Sequence, residues 1–305
     1  MRSFVLSNNN TQPLVSIAII TYNQQEFLRE CIESCLNQDY KNIQIVVADD
    51  GSTDGTKEML LDYEKKYPDK FVLCLSESNR GITANSNCAH FACTGKYIAW
   101  MGGDDLMLPT KLSKQVAYME KNPECTICYH DLDVFQSDTG KTLYLFSEKS
   151  KPRQGDVRVA IKYGTFNGAC STLVRRDKTP KTGFNELIPI ASDWLYWVES
   201  LANGGTIDYI DEILGRYRRH SKNVTNASKV ISQGDIDHLN SCNYILSRYP
   251  QYFNEVMYRY AIIIRSLRHN LPYKNSLIFS LKNSYDIKAL VSLVANFISL
   301  NKLKF

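Results

Sequence analysis

Val15-Ser-Ile-Ala-Ile-Ile20, closed by Thr21-Tyr22-Asn23, is short, almost wholly apolar and rich in β-branched residues. Such a run, with no polar alternation, is the pattern of a strand buried on both faces. Phe27, Leu28, Cys31, Ile32, Cys35 and Leu36 then recur at spacings of three and four, which predicts a helix ended by Asn37-Gln38-Asp39. Ile43-Gln-Ile-Val-Val-Ala48 repeats the strand pattern. Asp49-Asp50-Gly51-Ser52-Thr53-Asp54-Gly55 supplies turn residues, with Ser52 and Thr53 as expected caps of a helix over 57–66. A third strand at 71–75, a helix near 83–92 and a fourth strand at 97–101 continue the order. Strands alternating with helices in this way imply a parallel sheet covered on both faces, with ligands at the carboxyl ends of the strands.

Beyond Met101 the pattern predicts a helix over 111–121, strands over 126–135 and 166–175, and a helix over 193–201. A strand pair, or a strand and turn, is expected at 206–217. From Ile236 onward the periods are helical, punctuated by Pro250 and Pro272.

The chain has 305 residues, 44% hydrophobic and 22% charged, enough to bury a large core and too apolar for disorder. Its 36 Lys and Arg against 32 Asp and Glu leave a net +4, too little for a dedicated nucleic-acid binder unless concentrated. The charge does concentrate. Residues 255–305 carry eight Lys or Arg against Glu255 and Asp286, a net +6. Within them Val256 to Leu267 and Ala289 to Leu300 combine apolar faces with basic residues, the composition of helices that lie in an anionic headgroup layer. A helical bundle packed on the rest of the chain would show the same composition. No stretch reaches the about 20 apolar residues of a spanning helix, and residues 1–12 lack a secretory apolar core, so a cytoplasmic protein is expected. Nine scattered cysteines, several inside apolar runs, suit reduced buried thiols; Cys125 and Cys128 form one CxxC without a second pair at zinc spacing.

Three acidic sites stand where regular structure meets loop: Asp49-Asp50, Asp104-Asp105 and Asp193. Singly, each has an ordinary reading as a helix cap or solvated turn. Asp104-Asp105 follow Tyr97-Ile-Ala-Trp-Met-Gly-Gly103 directly, so two carboxylates at a buried strand end require a compensating cation. Oxygen ligands with open positions suit Mg²⁺ or Mn²⁺, and Gly102-Gly103 let a ligand approach the backbone.

Taken together, these stretches resemble the inverting nucleotide-sugar glycosyltransferases of family 2, the surface-polysaccharide type with a GT-A fold. The resemblance runs from Val15 to Asn223. Its elements are the first strand with Thr21-Tyr-Asn23, Ile45-Val-Val-Ala-Asp-Asp-Gly-Ser-Thr-Asp-Gly-Thr56, Asn79-Arg-Gly81 with Asn87, Thr94-Gly-Lys-Tyr-Ile98, Gly103-Asp-Asp105 with Pro109, Ser192-Asp-Trp194, and Tyr217-Arg-Arg-His-Ser-Lys-Asn223. It implies an α/β fold with a mainly parallel, Rossmann-like sheet, a short antiparallel addition on the acceptor side, a catalytic domain over 1–230 and a basic helical extension over 231–305.

The resemblance also implies roles. Thr21 lines the base pocket, Asp50 accepts from the uracil ring nitrogen, and Asp49 is the turn's structural partner. Arg80 reaches the base or the diphosphate, and Arg218, Arg219 or Lys222 holds the diphosphate. Asp105 is the direct metal ligand, with Asp104 toward the ribose or the metal's waters, because Gly103 replaces the first Asp of the usual DxD. His220 completes the metal shell. Asp193 is the base, with Glu199 its rival on another helix face. Trp194 and Trp197 stack on an acceptor sugar or lie in the core. His90, His130 and His269 are structural. The implied reaction is inverting transfer from a nucleotide-diphosphate sugar, of the UDP class, to a lipid-diphosphate-linked saccharide at the inner membrane surface, with Mn²⁺ or Mg²⁺. Two other classes are open: a non-catalytic nucleotide-sugar-binding scaffold of this fold, and a dehydrogenase, disfavoured because no GxGxxG follows the first strand.

Overall fold

The computed structural model describes residues 12–221, 223 and 231–299. Strands β1 (Val15–Thr21), β2 (Ile43–Asp49), β3 (Phe71–Leu75) and β4 (Tyr97–Gly102) form a parallel half-sheet in the order β3-β2-β1-β4. Helices α1 (Gln25–Leu36), α2 (Thr56–Lys66) and α3 (Ile82–Ala92) make the crossovers. The two-sided apolarity of β1 has the expected cause. Val15, Ile17 and Ile19 face one layer with Leu28 and Ile32 of α1, Leu60 of α2 and Leu112 of α4 (Lys111–Lys121), while Ala18 faces the other, with Ala89 of α3.

After β4 the chain departs from the regular alternation. β5 (Leu106–Met107), β6 (Cys125–Gln136), β7 (Thr142–Leu145), β8 (Leu173–Arg175) and β9 (Thr206–Arg219) extend the sheet as β4-β8-β6-β9-β5, with β7 on β6. β8 is antiparallel to β4 and β6, and β9 is parallel to β6. The strand expected over 166–175 is three residues long. A 3-10 turn at Ala169–Ser171 interrupts its middle and carries Cys170 beside Asp105. The segment expected as a strand pair at 206–217 is a single 14-residue strand, bent by register shifts opposite His130 to Leu132. β5, β7 and the short helices α5 (Phe146–Lys149) and α6 (Val157–Tyr163) carry no clear period, because each is too short to repeat one.

The caps are also redistributed. Ser52 bonds Asp49 rather than the following helix, and Asp54 accepts from the Thr56 N–H and hydroxyl at the start of α2. All nine cysteines are free, and Cys125 and Cys128 are buried on β6.

Helices α7 (Asp193–Ala202), α8 (Gln233–Arg248) and α9 (Phe253–Ser266) belong to the same apolar layer as α3 and α6, through Trp194, Leu195, Cys242, Ile245, Val256 and Ile263. α10 (Tyr273–Ser284) and α11 (Ile287–Ile298) form a small cluster of their own around Tyr273, Leu277 and Ala289. Of the two basic amphipathic segments, the one spanning α9 therefore spends its apolar face on the sheet's core. No helix among the described residues is long and apolar enough to cross a membrane.

Candidate active site

At the end of β2, Asp50 is 3% exposed, and its two oxygens accept the backbone N–H groups of Arg80 and Gly81, both at 2.8 Å. The bonds pin the amino end of α3 to the end of β2, and each oxygen keeps a further lone pair. The turn requires glycine at position 51. Gly51 has φ +75, and a Cβ there would lie 2.7 Å from the backbone of Ser78. Asp49 accepts the Ser52 hydroxyl and N–H, so it braces this turn, and burial raises its carboxyl. Thr21, at the end of β1, receives the Asp50 N–H on its carbonyl at 3.1 Å. Its buried hydroxyl has no hydrogen-bond partner among the described residues and stands against Gly103, where a Cβ would sit 3.0 Å away. The Arg80 side chain is exposed and donates to Ser76 Oγ and Cys88 Sγ.

The acid pair sits where β4 ends and β5 begins. β5 pairs antiparallel with β9, Leu106 opposite Arg216, and this short ladder carries the end of β9 across the two carboxylates. The Arg218 N–H donates to Asp105 Oδ1 at 2.9 Å, and Arg218 Nε donates to the Asp104 carbonyl at 2.7 Å. Asp104 Oδ2 lies 3.0 Å from His220 Nε2 and accepts Asn223 Nδ2 at 3.1 Å. Both carboxylates crowd Gly102, where a Cβ would meet Asp104 Oδ1 at 2.7 Å and Asp105 Oδ2 at 3.4 Å. Asp105 is 4% exposed. Burial first, and the neighbouring Asp104 charge second, push its carboxyl well above the usual range against the pull of Arg218 and Cys170.

Arg218, expected at a diphosphate, is turned into the protein. It is 3% exposed, its guanidinium reaches Glu30 Oε2 at 2.5 Å and Ser137 Oγ at 3.3 Å, and it lies over the Phe27 and Phe135 rings. It braces the acid pair. The His220 ring packs on Phe27, 4.8 Å between centroids. Phe27, Glu30 and Cys170 were not legible as site residues. Phe27 reads as part of the α1 apolar stripe, and no sequence pattern singles out Glu30. A cleft of about 460 Å³, lined in part by Phe27, Leu143, Arg219 and His220, opens beside the His220 ring. Lys222 lies outside the described residues.

Asp193 is the first residue of α7. Its carboxyl is raised by desolvation, opposed by the backbone N–H of Trp194. Ser192, just before it, is tied to α3, since the Thr83 hydroxyl lies 2.8 Å from Ser192 Oγ and 2.6 Å from the Ile188 carbonyl. The first turn of α3 thus joins Asp50 on one side to the Asp193 turn on the other. Glu199 faces elsewhere: its Oε1 accepts the Tyr244 hydroxyl of α8 at 3.1 Å. Trp194 and Trp197 are core residues, 1% and 2% exposed, and Trp194 Nε1 donates to the Ala160 carbonyl. Trp194→Ala is therefore expected to cost about 3–5 kcal/mol in urea unfolding. A variant of unchanged stability with a raised acceptor KM would return Trp194 to the acceptor side. His90 and His130 are buried against Tyr196 and the Asp131 carbonyl, and burial lowers both, His90 to about 4.

A sheet covered by helices on both faces, with acidic turns at the ends of β2 and β4 and a carboxylate opening the helix that packs on α3, defines a GT-A protein. TarS of S. aureus (residues 1–349, in complex with UDP-GlcNAc) shares the fold at TM-score 0.66 and 15% identity, over 96% of this chain and 93% of that one. Residues 16–180 match the profile of Glycosyl transferase family 2, and the chain belongs to that family. An uncharacterized protein of Mycobacterium tuberculosis is 34% identical over 69% of this chain, which spans 60% of that protein's length. The UDP-Glc:alpha-D-GlcNAc-diphosphoundecaprenol beta-1,3-glucosyltransferase WfaP of Escherichia coli is 29% identical over 70% of this chain and 80% of its own.

Proposed function

We propose that this chain is an inverting, metal-dependent glycosyltransferase that moves a sugar from a nucleotide-diphosphate donor of the UDP class to a hydroxyl of a lipid-diphosphate-linked saccharide. The observation that carries the reading is the desolvated Asp193 carboxylate, joined through Ser192, Thr83 and Gly81 to Asp50 at the mouth of the parallel half-sheet. Desolvation raises the basicity of a carboxylate and moves its pKa toward working pH, as general-base catalysis requires.

In this reading Thr21 and Asp50 hold the base, with Arg80 at the rim. Asp193 takes the proton from the acceptor hydroxyl as its oxygen bonds to the anomeric carbon. The bond to the diphosphate oxygen breaks on the opposite face, and the nucleoside diphosphate leaves with that electron pair. The donor set at the end of β4 fits a hard divalent cation: two crowded carboxylates, one strongly desolvated, with an imidazole beside them. Among the described residues no three His, Cys, Asp or Glu side chains form a ready cage. Asp105 would ligate Mn²⁺ or Mg²⁺, with Asp104 toward the ion's waters and His220 beside Asp104 to complete the shell, and the ion would supply neutralising charge to the departing diphosphate. Arg218 and Glu30 keep the acid pair in register.

The likeness to WfaP supports the acceptor class, and that to TarS supports the donor class. An acceptor of this kind lies at a membrane surface, where the basic carboxyl-terminal segment would hold the enzyme. Purified protein screened with nucleotide sugars and a synthetic lipid-diphosphate acceptor is expected to transfer from a UDP donor and to give a β-linked product from an α-linked one. Donor binding without transfer to any acceptor would favour a scaffold.

A further inference from the structure

α11 shows solvent a continuous apolar face. Ile287, Leu290, Val291, Val294, Phe297 and Ile298 recur at helical spacing and are 46% to 79% exposed. Ala289 and Asn296 on its other side are buried, and Leu293 packs on the α10 cluster. A patch of this kind on a protein surface marks an interaction site.

The charges around it have one sign. Along α10 and α11 the exposed charged residues are Lys274, Lys282 and Lys288. The carboxylate between the helices, Asp286, is half-buried and turned inward to Arg265 Nε at 2.5 Å. The sequence adds Lys302 and Lys304 just beyond.

We propose that this face of α10 and α11 docks on an anionic lipid surface, with the α11 aliphatic side chains among the acyl chains and the lysines in the headgroup layer. A second copy of the chain would set lysines against lysines. A nucleic acid would leave the aliphatic face uncovered. An anionic lipid surface satisfies both features at once. The 12 residues of α11 span about 18 Å, short of the roughly 30 Å hydrocarbon core, so the helix lies in the plane of the interface. α9 takes no part, since Val256, Ala261 and Ile263 are buried. The proposal deepens the reading of a membrane-linked acceptor and rests on it only for its purpose. Vesicle binding is read without transfer, so either can fail alone.

The test is co-sedimentation of the full chain with vesicles of phosphatidylglycerol and phosphatidylcholine, or of phosphatidylcholine alone. The intact protein is expected to bind the anionic vesicles, to bind the neutral ones weakly, and to lose affinity as salt rises. Neutralising each of Lys274, Lys282 and Lys288 to Gln should weaken binding roughly fivefold. Val291→Asp with Phe297→Asp should weaken it by roughly tenfold or more, with unchanged circular dichroism because both side chains are exposed. Equal binding by the intact protein and the aspartate pair, or no binding to anionic vesicles, overturns the proposal. A dimer in sedimentation velocity that Phe297→Asp dissolves overturns it too, by assigning the face to a second copy.

Discussion

Asp193→Asn is expected to lower the transfer rate by roughly 10²- to 10⁴-fold, the share that general-base catalysis supplies, while donor affinity stays the same. The amide keeps the shape of the side chain and the Trp194 N–H contact but cannot take a proton. Glu199→Gln is expected to retain most activity, because Glu199 faces Tyr244 of α8. A fast Asp193→Asn enzyme beside a dead Glu199→Gln one would reverse the assignment. A stability measurement adds an independent readout. Desolvation raises the folded-state pKa of Asp193 above its unfolded value. The stability this contributes is fully present below the unfolded carboxylate pKa, about 3.9, and is lost as pH rises through the folded value. At neutral pH the ionised carboxylate is therefore a net cost. Asp193→Asn should be more stable than the native chain there, with the gap closing as pH falls. Transfer by the native enzyme should decline over the same acid limb, as the base protonates.

Chelation of divalent cations is expected to abolish transfer, and Asp105→Ala to do the same by roughly 10³-fold with the fold retained. Burial and the Asp104 charge both oppose ionisation of Asp105, so a cation that binds there relieves a repulsion the fold already carries. Thermal unfolding separates this from simple damage. Mn²⁺ at a hundredfold excess over its Kd should stabilise the native chain by about 2.7 kcal/mol and leave Asp105→Ala unmoved. Asp105→Asn serves as the companion variant, since it still accepts the Arg218 N–H and spares the buried donor. Full transfer in excess chelator would remove the metal from the mechanism, and equal Mn²⁺ stabilisation of the native chain and the Asp105→Asn variant would remove Asp105 as its ligand.

The parallel half of the molecule was legible because its strands are buried on both faces and its helices on one. Two different periods therefore alternate in the sequence from Val15 to Met101. Past that point the pairing partners lie far apart in the chain. β5 is two residues long, β8 is three, and β9 pairs with β6 across some 80 positions, which no local period records. Two-thirds of the expected 166–175 strand is loop and turn for that reason, and the turn's Cys170 lies beside Asp105.

The sequence by itself determined the α/β alternation, the acidic turns at residues 49–50 and 104–105, and the carboxylate that opens the helix at Asp193, since each depends on residues adjacent in the chain. Tertiary structure alone decided what those residues touch. Arg218 became a buried brace because the β5–β9 ladder folds it between Phe27, Phe135 and Glu30. Trp194 and Trp197 went to the core because α6, α8 and α9 close over α7. The two amphipathic tail segments, alike in composition, parted because α9 found an apolar layer to cover and α11 did not. Composition sets whether a face is apolar, and only packing sets whether that face is satisfied within the chain.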